Sequence, residues 1–501
     1  MPLNLSNRDQ NSGHLFYNRR LRAAITRFSV RMRHDDRKQQ AALALSLVFV
    51  LLGCGWMALL NFMKPAGLVG QSAIVGNRDT GALYARIDGR LYPALNLTSA
   101  RLATGAATAP AWVKSAEIAK YPTGPMIGIP GIPDDVTVAG NPVSAWTVCD
   151  TAPRRGSGTA AMVTAIAGEL SGGRAEPMTG NRALLATHRG STYLVWNGRR
   201  SRIDPRQRSV TFNLGLDPGA IRPVEMSTAL FDAIPATEPL VVPAIPDAGT
   251  PSRLLAGSVV GRVLQTQDAN GDVSGFYVLL PNGIQKVTAF VADLLRTANS
   301  QGVTAPQLVS PDKLVNIPEV ENLNVGFYPT GKLDFIDTDA NPVSCLSWQK
   351  MSGDPQAALT VYNGRGLPVP QSQDARIVAL VRDARDPASV EAQQTLMLPG
   401  AANFVATTSG AASTDTRESL YWVSPQGVRY GVEWEQGSLQ ALGIDPSSAV
   451  QAPWPIVRTF AAGPAISRST ALLARDAIVP AGAAAPLPQP SQDSPSQDSG
   501  G

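Results

Sequence analysis

The sequence predicts an α+β, β-rich protein with a single N-terminal transmembrane helix followed by an exported region of four small repeat modules around a central domain. Three observations carry this. Residues 41–63 hold no charge; 45 Gly and 40 Pro in 501 residues divide the remainder into short apolar runs; and one tyrosine-led hairpin pattern recurs four times there. The length suits two or three folded units at roughly 150 residues each. A charged fraction of 16% with so many turn residues fits short strands better than long charged helices.

Residues 1–40 form a basic arm. They carry nine Arg or Lys against three Asp, a balance of +6, whereas the chain from Lys64 onward nets −2, so the formal +4 belongs to the arm. A nucleic-acid-binding domain would spread positive charge over a folded face, and that class is excluded. Leu21, Ile25, Phe28 and Met32 follow 4, 3, 4 spacing while Arg19, Arg20, Arg22, Arg27, Arg31 and Arg33 fall on other faces, the pattern of a basic amphipathic helix. Two readings fit it. The helix rests on anionic lipid, or it docks on another membrane subunit through Leu21, Ile25, Phe28 and Met32, with Arg22 and Arg27 pairing to acidic groups beside the stripe.

From Ala41 to Met63, 23 uncharged residues run without a break, about 34 Å as a helix and enough for a hydrocarbon layer of about 30 Å. A cleaved signal peptide has a shorter apolar region nearer the start, so a retained anchor is expected. Arg31, Arg33, Arg37 and Lys38 flank the amino side against Lys64 on the other. The positive-inside rule then places the arm in the cytoplasm and exports the chain beyond Lys64.

Residues 64–479 make up the exported part. The recurring hairpins are Leu83–Gly89, Tyr193–Gly198, Phe276–Gly283 and Leu420–Gly427, whose Asp-Gly, Asn-Gly and Pro-x-Gly sequences supply the positive φ of tight turns. A pattern this short recurs by chance in β proteins, but longer echoes support true repetition. Leu214-Gly215-Leu216-Asp217-Pro218 returns as Leu442-Gly443-Ile444-Asp445-Pro446, and Phe231-x-x-x-Pro235 as Phe460-x-x-x-Pro464. Unequal spacing between the tyrosines argues against a solenoid or propeller. Cys149 and Cys345 are the two exported cysteines, beside Trp146 and Trp348; a disulfide and two buried free thiols both fit. Residues 480–501 are Ala-, Pro-, Ser- and Gln-rich and too poor in apolar area to fold, so a disordered tail is expected.

Residues suited to reaction chemistry are sparse. His188 is the one exported histidine and, beside Arg189-Gly190, reads as a loop residue. Gly326 to Lys332 matches G-x4-G-K, but Leu333 stands where Ser or Thr must hold a metal and Pro329 removes an amide; a turn before a strand from Leu333 to Ile336 is expected instead. Asp337, Asp339 and Asn341 resemble half a calcium loop, yet Pro342 replaces the needed Gly and Trp348 the bidentate Glu. Asp268, Asn270 and Asp272 fail similarly, with Leu279 in the last place. No catalytic, cofactor-binding or metal-binding residue is assigned.

The longest specific motifs are Asn77-Arg78-Asp79-Thr80-Gly81-Ala82-Leu83-Tyr84, Gly89 through Leu102, Gly124-Pro125-Met126-Ile127-Gly128-Ile129-Pro130-Gly131, Trp146-x-x-Cys149-Asp150 and Cys345-x-x-Trp348. Together they resemble EccB, a core membrane component of mycobacterial type VII (ESX) secretion systems, from the arm to about residue 479. The opening Asn4 to Arg20 looks most like members of the system linked to iron and zinc supply. The resemblance implies a structural subunit of an inner-membrane complex with EccC, EccD and EccE, a self-associating periplasmic domain, and a disulfide mapping to Cys149 and Cys345. It also implies two alternatives. The family is labelled an ATPase, for which ATP would be the cofactor, and its repeats are similar to wall-binding modules, which suggests peptidoglycan attachment.

Overall fold

The computed structural model describes residues 8–28, 33–62, 67–153, 160–217, 222–380, 389–413, 416–434 and 436–477. Two compact units result, one ending at Leu68 and one beginning at Val69.

The first unit holds α1 (Arg8–Arg27) and α2 (Arg33–Phe62). Helix α2 begins eight residues before the uncharged run, so the charged segment ahead of the run is itself helical. Its stretch Gln40–Leu59 is long and apolar enough to cross a membrane, and none of that stretch is buried within the chain. Leu45, Phe49, Leu51 and Met57 are among the exposed side chains, the distribution expected where lipid is the solvent. Met63, the expected end of the span, lies outside the described residues. The arm departs from the expected single stripe. Helix α1 stops at Arg27 because Phe28 takes φ 47°, a left-handed conformation that a helix cannot continue through.

The second unit opens with β1 (Ile74–Asn77), β2 (Leu83–Ile87), β3 (Arg90–Ala94), α3 (Leu97–Thr104), β4 (Ala111–Val113), α4 (Ser115–Ile118) and β5 (Met126–Ile127). A central segment follows: β6 (Val143–Thr151), β7 (Met162–Ala167) and β8 (Ala175–Pro177). The second module is β9 (Arg182–His188), β10 (Ser191–Trp196), β11 (Arg199–Ile203), α5 (Arg208–Asn213), β12 (Val224–Glu225) and α6 (Thr228–Ala233). The third is β13 (Val263–Gln267), β14 (Val273–Leu280), β15 (Gly283–Val287), α7 (Ala289–Ala298), β16 (Gln307–Leu308) and α8 (Pro311–Leu314). After β17 (Asp334–Phe335) the chain returns to the centre with β18 (Val343–Met351), β19 (Ala358–Gly364), β20 (Val378–Ala379) and β21 (Gln394–Met397). The fourth module is β22 (Phe404–Thr408), β23 (Leu420–Val423), β24 (Val428–Val432), α9 (Gln436–Leu442), β25 (Val450–Pro453), α10 (Trp454–Val457) and β26 (Ala461–Ala462). Helix α11 (Arg468–Ala471) and β27 (Ala474–Arg475) close the described chain, β27 pairing antiparallel with β5 of the first module.

Each module is thus β-β-β-α-β-α. Its first strand pairs antiparallel with the second and parallel with the fourth, as in β1 with β2 and β4, and β22 with β23 and β25. Two-residue turns make the hairpins: Asp88 and Gly89, and Asn197 and Gly198, all take positive φ, the geometry that matches strand twist. Gly283 departs from the expected role, because it is absent from the positive-φ glycines. Its lack of a side chain serves close approach instead, since a Cβ would lie 2.4 Å from the Pro318 carbonyl oxygen.

The central sheet has seven strands in the order β20-β21-β7-β6-β18-β19-β8. Its strands come from two stretches of chain, β6 to β8 and β18 to β21, separated by the second and third modules. In the β6–β18 ladder Trp146 stands opposite Trp348, and Cys149 opposite Cys345. All four are at most 1% exposed.

Candidate functional site

The sequence-derived chemistry is dispersed by the fold. His188 is not a loop residue: it ends β9, is 9% exposed, donates from Nδ1 to the Met226 carbonyl at 3.1 Å and stacks on Phe231 with ring centroids 4.0 Å apart. Its imidazole is held as a core group.

The segment from Gly326 to Leu333 is anchored by its apolar members. Tyr328 is buried and donates its hydroxyl to the Val241 carbonyl at 2.7 Å, Leu333 is buried in the core shared by the second and third modules, and the Pro329 carbonyl accepts from Thr288 Oγ1 at 3.1 Å. A phosphate loop needs successive amides turned toward one anion. Here the aromatic and proline positions face protein, and the segment does not fit a bound nucleotide phosphate. The strand after it is shorter than expected, Asp334–Phe335, and pairs parallel with β9. Both acidic turns are closed on themselves. Asp268 Oδ1 accepts from the amides of Asn270 and Asp272 at 2.9 and 3.0 Å, and Asp337 Oδ1 from that of Asp339 at 3.0 Å. Among the described residues no group of three His, Cys, Asp or Glu side chains could hold a metal.

Where buried polar chemistry does concentrate is at the junctions between modules. Asp150, next to Cys149 on β6, is 5% exposed. It accepts from Ser227 twice, from the amide at 2.7 Å and from the hydroxyl at 2.6 Å. Ser227 is the N-cap of α6, its Oγ accepting from the Leu230 amide. A carboxylate of the central sheet therefore orients the cap of a module's helix. Burial pushes its pKa up to about 6, with the two Ser227 hydrogen bonds opposing.

On the neighbouring face Asp232 of α6 pairs with Arg458, which follows α10. Arg200 donates from Nε to the carbonyls of Phe231 and Ile234 at 2.8 and 2.9 Å and lies 3.7 Å from the Phe231 ring centroid. Burial lowers the pKa of its guanidinium, and the nearby Asp232 opposes that shift. In the fourth module Arg429 donates from Nε to the Phe460 carbonyl at 2.9 Å. These residues are hidden in the sequence because each partner lies tens to hundreds of positions away. The repeated arginine at the start of a third strand is the one signal that points to them. Register also corrects one echo: β11 and β24 bridge Ala236 and Ala462 from equivalent arginines, so Phe460 corresponds to Ile234 and not to Phe231.

The two cysteines are bonded, Cys149 to Cys345, across 196 residues. Both lie in the central sheet, so the bond joins two neighbouring strands of one ladder. It closes the long excursion through the second and third modules. In the arm, Leu21 and Ile25 are 42% and 72% exposed on α1, Arg22 and Arg27 are exposed beside them, and Phe28 lies beyond the helix end at 98%. Met32 lies outside the described residues, as does the segment 480–501.

These features coincide with full-length similarity to known proteins. A family model described as "Type VII secretion system ESX-1, transport TM domain B" matches residues 3–480. The chain is 64% identical over 479 residues, 95% of its own length and 97% of the relative's, to "ESX-2 secretion system ATPase EccB2" of Mycobacterium tuberculosis (strain ATCC 25618 / H37Rv). A chain of an intact ESX-5 inner membrane complex superposes with TM-score 0.74 at 36% identity, covering 98% of this chain and 99% of that one. A chain of the EccB3 dimer from the ESX-3 core complex superposes with TM-score 0.70 at 32% identity, covering 80% and 100%. These similarities do not single out an iron- or zinc-linked system.

Proposed function

Because the chain belongs to the EccB family of type VII secretion membrane proteins, we propose that it is a structural subunit of a secretion system's inner-membrane complex and organises the periplasmic face of that complex. The observation that carries this is the match along 98% of the chain to a protein solved inside an intact inner membrane complex. In this reading the arm lies in the cytoplasm, where it meets EccC, EccD and EccE, helix α2 crosses the membrane once, and residues 69–477 stand in the periplasm. The excess of Arg and Lys ahead of the apolar stretch supports that orientation. Copies of the chain associate with one another, as the dimeric relative does.

The relative's name includes ATPase, and nucleotide hydrolysis is the competing reading. It is disfavoured by the packing of the 326–333 segment: phosphoryl transfer depends on phosphates positioned by open amides and a held metal, and Leu333 is a buried core side chain. A strain carrying Lys332→Ala is expected to secrete at the parental level, while one lacking residues 69–477 is expected not to secrete. If Lys332→Ala abolished secretion with the subunit still abundant and assembled, hydrolysis would replace the structural reading.

A further inference from the structure

The four modules form a line. The second and third share one buried cluster through their first helices, Val210 and Leu214 of the α5 segment with Phe290, Val291 and Leu294 of α7. The first and fourth share another through the same elements, Leu102 of α3 with Leu439 and Leu442 of α9. The two pairs meet at the second helices, α6 and α10, where Asp232 and Arg458 face each other over the central sheet. First-helix and second-helix junctions therefore alternate, and each end of the line is left with a second helix: α4 in the first module, α8 in the third.

Strand register makes the second helices comparable residue by residue. Parallel pairings place Thr123, Ala236, Glu319 and Ala462 beside the third strands of their modules. Counting back four residues from each gives Ala119, Asp232, Val315 and Arg458. Two of these equivalent positions carry opposite charges and pair with each other. The other two are apolar and exposed, Val315 at 81%.

Beside Val315 the third module has an open groove of about 660 Å³, lined by Tyr277, Leu314, Ile317, Pro318 and Glu319 among others, with Leu308 60% exposed on the nearby edge strand β16. Tyr277 is the counterpart of Tyr193 and Tyr421. Those two are met by rings from their own second-helix regions, Phe231 and Trp454, at centroid distances of 4.8 and 5.3 Å. At the corresponding positions α8 has Leu314 and Pro311, and the groove results.

We propose that this face of the third module is covered by the same face of a second copy of the chain, in a two-fold contact that sets Val315 against Val315 of the partner subunit. The junction already built between α6 and α10 relates equivalent positions to one another, as a two-fold contact must. The α8 face is compatible with itself: it carries one acid, Asp312, and one base, Lys313, and an apolar side chain where the internal junction has its ion pair. The contact rests on the self-association proposed above and names its site.

The test uses the full chain in detergent. With Cys54, the free cysteine among the described residues, changed to Ser, Val315→Cys is expected to give a disulfide-linked species of twice the chain mass on mild oxidation. Val315→Asp and Val315→Arg are each expected to weaken self-association about tenfold or more, and mixing the two variants to restore it, as Asp232 and Arg458 pair within one chain. The exposure of Val315 allows all three to fold. If the parent self-associates but Val315→Cys does not link, or either charged variant associates like the parent, this face is not the contact. If the parent itself stays monomeric, the self-association reading falls, and this site with it.

Discussion

Asp150 shows how one side chain couples two parts of the molecule. Its carboxylate sits in the central sheet and its hydrogen-bond donor caps a helix of the second module, so loss of the charge or of the acceptor acts on the junction and not on a reaction. The folded pKa of about 6 against the ordinary 3.8 means that the native state holds the proton more tightly than the unfolded chain. Stability from this group is therefore fully present below about pH 4 and lost as pH rises to about 6, by up to about 3 kcal/mol, with no further change above. Asp150→Asn keeps an acceptor for the Ser227 amide and removes the titration. Denaturant unfolding at pH 5 and pH 7 is expected to show a drop for the parent and a smaller one for the variant, which should equal or exceed the parent at pH 7. Equal drops in both proteins would show that Asp150 is not the titrating group. None of this is readable from Cys149-Asp150 in sequence, because Ser227 lies 77 positions away.

Elements are legible where their cause is local. Asp88-Gly89 and Asn197-Gly198 dictate their turns through backbone conformation alone, and the hairpins follow; the uncharged run dictates α2 in the same way. The arm shows where local periodicity stops sufficing. Leu21 and Ile25 share α1, but positive φ at Phe28 ends the helix before the stripe is complete. For the docking proposed for the arm, α1 offers Leu21 and Ile25 as exposed apolar residues, with Arg22 and Arg27 exposed beside them. Ile25→Asp places a carboxylate in that exposed apolar position without touching a packed core, and should reduce co-purification of EccC and EccD severalfold. Unchanged recovery on a native gel would leave the arm to the lipid surface.

At the scale of the whole molecule, the feature hidden from sequence is the central sheet, whose neighbouring strands β6 and β18 are brought together from positions nearly two hundred residues apart and whose partners are fixed by burial of Trp146 and Trp348. The Cys149–Cys345 bond locks that ladder. Tying points 196 residues apart restricts the unfolded chain, and replacing both cysteines with Ala is expected to lower urea stability by about 2 to 5 kcal/mol. An unchanged midpoint, or free thiols at both positions in protein taken from the envelope, would contradict it. The central sheet, with the second and fourth modules packed on it and the first and third carried at the ends, is a frame whose buried polar groups serve joints between parts. In the function proposed above, this frame holds a membrane complex together. The composition of the particle recovered from membranes through a tag on this chain tests that role most directly: EccC, EccD and EccE are expected with more than one copy of the tagged chain, all lost when residues 69–477 are removed, whereas recovery of the chain alone, or of an unaltered particle after that removal, would contradict it.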